Sequence, residues 1–271
     1  MDSLSLDFCL RFGAALAAAG FGAGFLGGLF GGGGGMVVIP VLYEAFGALG
    51  VDPAVRMHLV VGTSLASVVP LSIMGARSHW RQGNVNPALL KPLVPAALAG
   101  SLAAGFIGDR LDAGLLAWLF AGVTLFVTLN MLLRFRPTSV TLGLPAMGLV
   151  GAGIGCVSSL IGMGGATLTV PVLNLLGSSM RMAIGTAATL GMAIALPGAL
   201  SFALAGAHAE HLPPSSVGYV NLFAAAILFL CGSRGIAIGS RLTRQVDETL
   251  LRRLFALLLM ASAVRMVLAT T

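Results

Sequence analysis

The sequence predicts an all-α integral membrane protein, a polytopic helical bundle of about ten hydrophobic segments, two of them short or broken, in two inverted repeats. Three observations predict it. Of 271 residues, 57% are hydrophobic and 9% charged, with a mean hydropathy of +0.99; a soluble domain carries about 25% charge. Unbroken apolar runs such as residues 113–133 match the ~20 residues of a spanning helix, not the short alternating strands of a barrel. A glycine-rich stretch also occurs twice, in register. So little charge cannot cover a water-soluble surface. A secreted mini-protein, a disordered tail and a cytosolic enzyme are excluded.

Five apolar segments fill each half. They run over residues 8–30, 36–50, 57–76, 88–108 and 113–133, then 140–161, 166–177, 182–207, 217–239 and 251–269. No basic stretch precedes the first segment, where Asp2 and Asp7 come before Arg11, so it does not read as a signal peptide. It also has a counterpart in mid-chain and belongs to the fold. The second segment of each half is short for a span and follows a glycine cluster, as a half-helix or re-entrant hairpin would. Short, Gly/Pro-interrupted segments at matching places in two halves point to a transporter's binding site.

The repeat is legible at an offset of 131 residues. Gly31, Gly33, Gly34, Pro40, Val41 and Leu42 recur as Gly162, Gly164, Gly165, Pro171, Val172 and Leu173. The same offset lays Ile107, Gly108, Arg110 and Leu111 over Ile238, Gly239, Arg241 and Leu242. The halves are residues 1–136 and 137–271, forming one membrane domain. An odd number of segments per half makes the halves inverted across the bilayer, and the charges agree. Arg77 and Arg81 lie in a loop whose counterpart at 208–214 has no arginine, while Asp109 and Asp112 face a counterpart carrying Arg241, Arg244, Arg252 and Arg253. By the positive-inside rule the arginine loops are cytoplasmic. Both termini then lie outside a plasma or inner membrane.

The +6 charge belongs to those loops and calls for no nucleic-acid partner. Cys9, Cys156 and Cys231 are odd in number and sit in or beside apolar segments, so they read as free thiols rather than a disulfide framework. A thiol role for Cys156, seven residues before the second break, is a secondary candidate.

The duplicated order of glycine break, Pro-Val-Leu helix and Gly-Thr stretch resembles the TauE/SafE sulfite exporter family of membrane permeases. The resemblance covers essentially the whole chain and rests on residues 24–42, Gly62-Thr63-Ser64-Leu65, residues 155–173 and Gly185-Thr186. It implies a polytopic plasma-membrane carrier of small organosulfur anions such as sulfite or sulfonates. The second half departs from the pattern, with Ala187 where the first has Ser64.

Physical chemistry gives the breaks a use. Five glycines in a row, each disfavoured in a helix by about 0.8–1.0 kcal/mol relative to Ala, end a helix. Irregular backbone at membrane depth persists only when protein or a cavity surrounds it. Helix starts near Met36 and Thr167 leave N–H groups unpaired and carry about half a positive charge, an anion site without a buried arginine. The candidate substrate-binding residues are Gly31, Gly32, Gly33, Gly34, Gly35 and Met36, then Gly162, Gly164, Gly165 and Thr167, with the hydroxyls of Thr63, Ser64 and Thr186. Ser67, Thr169 and Thr189 lie nearby, and the alternative for each hydroxyl is helix–helix hydrogen bonding or bonding to the preceding turn. Gly20, Gly24 and Gly28, spaced by four, instead suit close helix packing.

Glu44 is a candidate coupling carboxylate, or alternatively reaches the outer interface. Lys91, Arg234 and Arg265 lie near segment ends and snorkel. No P-loop, His-Glu-x-x-His or Cys-x-x-Cys occurs, so no catalytic residue, cofactor or metal is expected. The expected partners are a small anionic substrate and the lipid bilayer, with self-association as a homo-oligomer left open. Alternatives are a carrier or channel for another solute, a membrane-embedded enzyme, and a non-transporting subunit.

Overall fold

The computed structural model describes residues 6–31, 34–132, 143–243 and 245–270. Among them are ten α-helices: α1 (Leu6–Phe30), α2 (Gly35–Ala48), α3 (Pro53–Arg81), α4 (Pro87–Gly108), α5 (Ala113–Leu132), α6 (Leu144–Leu160), α7 (Ala166–Leu175), α8 (Met180–Ala205), α9 (Leu222–Leu242) and α10 (Glu248–Thr270). The only sheet among the described residues is one antiparallel pair, β1 (Ser216–Val217) with β2 (Val220–Asn221). Every predicted segment overlaps one helix; the ninth, predicted from residue 217, opens with the β1–β2 pair, and its helix starts at Leu222. The expected divide between the halves, at 136/137, lies outside the described residues.

Six helices, α1, α3, α4, α5, α8 and α9, are long and apolar enough to cross a membrane. Phe126, Leu149, Leu230 and Leu257 are more than 60% exposed, an exterior that lipid tolerates and water does not. Side-chain caps start the helices that follow tight loops: Asp52 accepts from the Ala54 N–H at 2.9 Å, and Asn86 from Ala88 at 3.1 Å. Asn221 caps α9 through the Ala224 N–H at 2.9 Å. Each satisfies a donor that the first turn cannot pair internally.

The packing repeats when every helix is advanced by five. α1 lies on α9 as α6 lies on α4; α3 on α9 as α8 on α4; α2 on α3 as α7 on α8. The α3–α8 and α5–α10 pairs map onto themselves. Directions follow from hydrogen bonds at the helix ends. Ser78, at the end of α3, bonds Ser240, at the end of α9, with 2.7 Å between hydroxyls. The early residue Thr63 of α3 meets Asn221, just before α9. α3 and α9 are therefore parallel. The Tyr219 N–H donates to the Phe202 carbonyl near the end of α8 at 3.3 Å, so α8 runs against both.

Small residues set the closest approaches. Gly20, Gly24 and Gly28 press on the α9 backbone at Leu228, Gly232 and Ile236, while Gly151 and Gly155 of α6 press on Leu93 and Ala97 of α4. The packing expectation for the Gly20, Gly24, Gly28 row holds, with small side chains letting backbones touch.

Candidate functional site: two glycine breaks that meet

At about 1.5 Å per residue, α2 with 14 residues and α7 with 10 cannot cross a core about 30 Å thick. Both start inside the bundle. Gly34, the residue before α2, has φ of +71° and lies against Ala23, two turns before the end of α1. Before α7, Gly162, Gly164 and Gly165 have φ of +69°, +65° and +100°. A side chain there forces left-handed backbone that costs about 1–2 kcal/mol per residue, which is why glycine stands at all three.

The two breaks touch each other. A Cβ on Gly35 would sit 2.8 Å from Met163 Cα and 2.9 Å from the Gly162 oxygen. Ser64 of α3 donates to that same Gly162 carbonyl at 2.9 Å. Gly164 packs on Val68, and a Cβ on Gly191 would lie 2.7 Å from the Gly164 oxygen and 3.3 Å from Ser72 Oγ. No side chain caps the start of α2 or of α7, so their first N–H groups carry the positive end of each helix dipole. The residues named around the second break, Val61, Ser64, Val68, Ser72, Gly191 and Ile194, are all uncharged.

Prolines shape both half-helices. Pro40 lacks the N–H that would bond the Met36 carbonyl, and the Ser262 hydroxyl of α10 donates to that carbonyl instead at 2.5 Å. Pro171 occupies the matching place in α7.

The structure brings Gly31, Gly34, Gly35 and Met36 into one buried region with Gly162, Gly164, Gly165 and Ser64. Gly32 and Gly33 lie outside the described residues. Thr167 is buried beside the second break, its hydroxyl 3.0 Å from Met163 Sδ.

Thr63 and Thr186 are engaged elsewhere. The Thr63 hydroxyl accepts from the Asn221 N–H at 2.9 Å, and the Thr186 hydroxyl from the Asn86 N–H at 3.0 Å. The preceding glycines admit the same partner segments, because a Cβ on Gly62 would strike the Tyr219 carbonyl and one on Gly185 the Asn84 carbonyl. Each Gly-Thr therefore clasps a Gly-x-Val-Asn turn of the other half, Gly218-Tyr-Val-Asn221 or Gly83-Asn-Val-Asn86. The clasps lie at opposite ends of the bundle. Sequence reasoning missed this second repeat because its offset is 135, and that of Gly62 to Gly185 is 123. A single shift of 131 hides the turns, while Gly62-Thr63 and Gly185-Thr186 are matched by their order alone.

At the Thr63 end, Tyr219 donates to Asp109 at 2.9 Å, and burial followed by the Asp109 carboxylate pushes its phenol up to about 12. Tyr219 therefore remains a donor throughout the physiological range. His58 stacks on it, with Nε2 3.0 Å from the Gly108 and Leu111 carbonyls at the end of α4, which makes Nε2 the protonated nitrogen.

Thr169, a hydroxyl already noted near the second break, is joined by two that were not foreseen, Ser72 and Ser158. Ser72, Ser158 and Thr169 are at most 2% exposed and have no hydrogen-bond partner among the described residues. Ser158 stands four residues before Gly162, and Thr169 lies four residues after Gly165. At an offset of 131 the counterparts of Ser158 and Thr169 are Gly27 and Val38, so hydroxyls concentrate on the second break. Glu44 lies apart, bound through both oxygens to Arg265 at 2.6 Å, with the two side chains 46% and 61% exposed.

Apolar spans, paired half-helices and a buried junction of uncapped helix starts define a multi-pass helical membrane protein with a transporter's architecture. The sulfite exporter TauE/SafE family matches residues 16–266, and the chain belongs to that family of membrane transporters. It is 32% identical over 249 residues to a "probable membrane transporter protein" of Haemophilus influenzae, covering 91% of this chain and 94% of the relative. A Bacillus subtilis protein of the same description, YdhB, is 25% identical over 238 residues, covering 84% of this chain and 89% of its own. One from Methanocaldococcus jannaschii is 25% identical over 244 residues, covering 88% of each. No solved structure matches the chain.

Proposed function

We propose that the chain is a secondary carrier for a small anion, an organosulfur anion such as sulfite or a sulfonate, held where the two glycine breaks meet. The carrying observation is the junction itself: uncapped starts of α2 and α7, flanked by the buried, unpartnered hydroxyls of Ser72, Ser158 and Thr169. Buried polar groups almost always have partners, and an oxyanion accepting from these hydroxyls and from helix-start N–H groups would supply them. A charge held by dipoles and hydroxyls is released more readily than one bound to a buried arginine, as a carrier requires. The proposal leaves Glu44 out of the site, because its carboxylate is tied to Arg265.

The halves are inverted repeats across the membrane, a reading supported by the antiparallel course of the counterparts α3 and α8. Alternating access then needs the end clasps to open in turn, Thr63–Asn221 on one side and Thr186–Asn86 on the other. The test is uptake of labelled sulfite, a sulfonate, sulfate and acetate into liposomes holding only this protein. Saturable uptake of the sulfur anions supports the reading. Uptake of none of these anions, by protein shown to be folded, would falsify it. Gly164→Val places a branched side chain on Val68 and should abolish transport while membrane insertion continues.

A further inference from the structure

A polar cavity, away from the breaks, opens where the ends of α3 and α9 come together. It encloses about 880 Å³ and is lined by Met74, Arg77, Ser78, Arg81, Arg241 and Gln245, with Gln82 at its wall. The three arginines are exposed and have neither an ion pair nor a hydrogen bond among the described residues. None of the described lining residues is acidic. The walls are held in place: Ser78 and Ser240 share a 2.7 Å hydrogen bond, and the Gln82 amide donates to Ser78 Oγ at 3.2 Å and the Ser240 carbonyl at 3.1 Å.

Two simpler accounts fall short. Positive-inside sorting needs arginines only somewhere in the loop, and attraction to helix C-termini covers Arg81 and Arg241, in last turns, but not Arg77. Neither asks three guanidinium groups to face one cavity among amide and hydroxyl donors. Like charges so gathered repel, and an anion shared among them reverses the sign of the interaction. Arginine's planar fork matches the oxygens of a phosphate-type anion in a way that lysine's point charge does not. Trp80, 53% exposed on the same turn of α3, is the residue type that settles at headgroup depth.

We propose that Arg77, Arg81 and Arg241 form a binding site for a phosphate-type oxyanion at the membrane–water boundary. A lipid phosphodiester and a free phosphate or sulfate offer the same chemistry. The site is separate from the breaks and stands whether or not they bind substrate.

The experiment measures thermal stabilisation of the purified full chain in two arms. One titrates phosphate and sulfate against chloride of equal ionic strength in lipid-free detergent; the other compares nanodiscs of phosphatidylglycerol and phosphatidylcholine. Stabilisation in the first arm identifies a free oxyanion, and stabilisation in the second alone identifies a headgroup. In either case the R77Q/R81Q/R241Q variant should lose at least tenfold in apparent affinity, and Glu210→Gln, exposed at the opposite end of the bundle, should lose none. If the triple variant fails to fold, R77Q and R241Q singly should each lose several-fold. No stabilisation in either arm, or stabilisation that the arginine variants retain, overturns the proposal and leaves the transport reading untouched.

Discussion

A hydroxyl without a partner inside a packed bundle lowers stability, and Ser72 carries one beside the second break. That makes structural and functional roles separable at a single residue. If Ser72 only fills space, Ser72→Ala is neutral or slightly stabilising, since it removes an unsatisfied polar group. If it contacts the anion, the same change leaves the unfolding midpoint in place while raising the KM for uptake about tenfold, the equivalent of 1.4 kcal/mol. Ser64 behaves differently because its hydroxyl already donates to Gly162. Ser64→Ala should cost about 0.5–1.5 kcal/mol of stability as well as transport, read by chemical denaturation and uptake. Thr63, Ser64, Thr167 and Thr186 were recognised as candidates from residue type and their place near the breaks, whereas Ser72 and Ser158 were not. Which of them are engaged depended on partners a hundred or more residues away, as for Thr63 with Asn221 and Thr186 with Asn86, and no local pattern carries that information.

At the scale of elements, the ten helices were legible from apolar runs and their punctuation by Gly and Pro. The half-length of α2 and α7 was legible too, because five glycines or a Gly-Met-Gly-Gly run cannot continue a helix. The clasps were not, since loop lengths differ between the halves and move the offset. Their energetics can be tested directly. Thr63→Val or Thr186→Val removes the acceptor of an N–H at a helix start, and each should cost about 1–3 kcal/mol if that donor stays unpaired. Ser replacements, which keep the hydroxyl, should recover most of the loss. Because the clasps sit at opposite ends, the two Val variants should open the molecule in opposite senses. A cysteine beside the breaks should then react faster with a membrane-impermeant thiol reagent from one side in Thr63→Val and from the other in Thr186→Val. Faster labelling from the same side in both would refute alternate gating by the clasps.

For the whole molecule, the orientation of the halves is the property with the largest consequences. Arg81 and Glu210 are exposed at opposite ends of the bundle. Cysteines introduced there, in a background lacking Cys9, Cys156 and Cys231, should label from opposite sides of the membrane, with Arg81→Cys reacting from the cytoplasm. Labelling from one side would contradict the inverted arrangement.

Taken alone, the sequence determined the solvent, the helices and the family. Composition, apolar run length and a duplicated glycine motif are local or periodic quantities, and each follows from burying apolar surface and pairing backbone groups within a segment. The tertiary structure decided which groups face one another. It set Gly35 against Gly162 and Met163, turned Thr63 and Thr186 into latches, left Ser72, Ser158 and Thr169 unpartnered, and gathered Arg77, Arg81 and Arg241 around one cavity. Those outcomes rest on contacts between helices far apart in the chain, where shape and hydrogen-bond geometry choose among partners that residue type leaves equivalent.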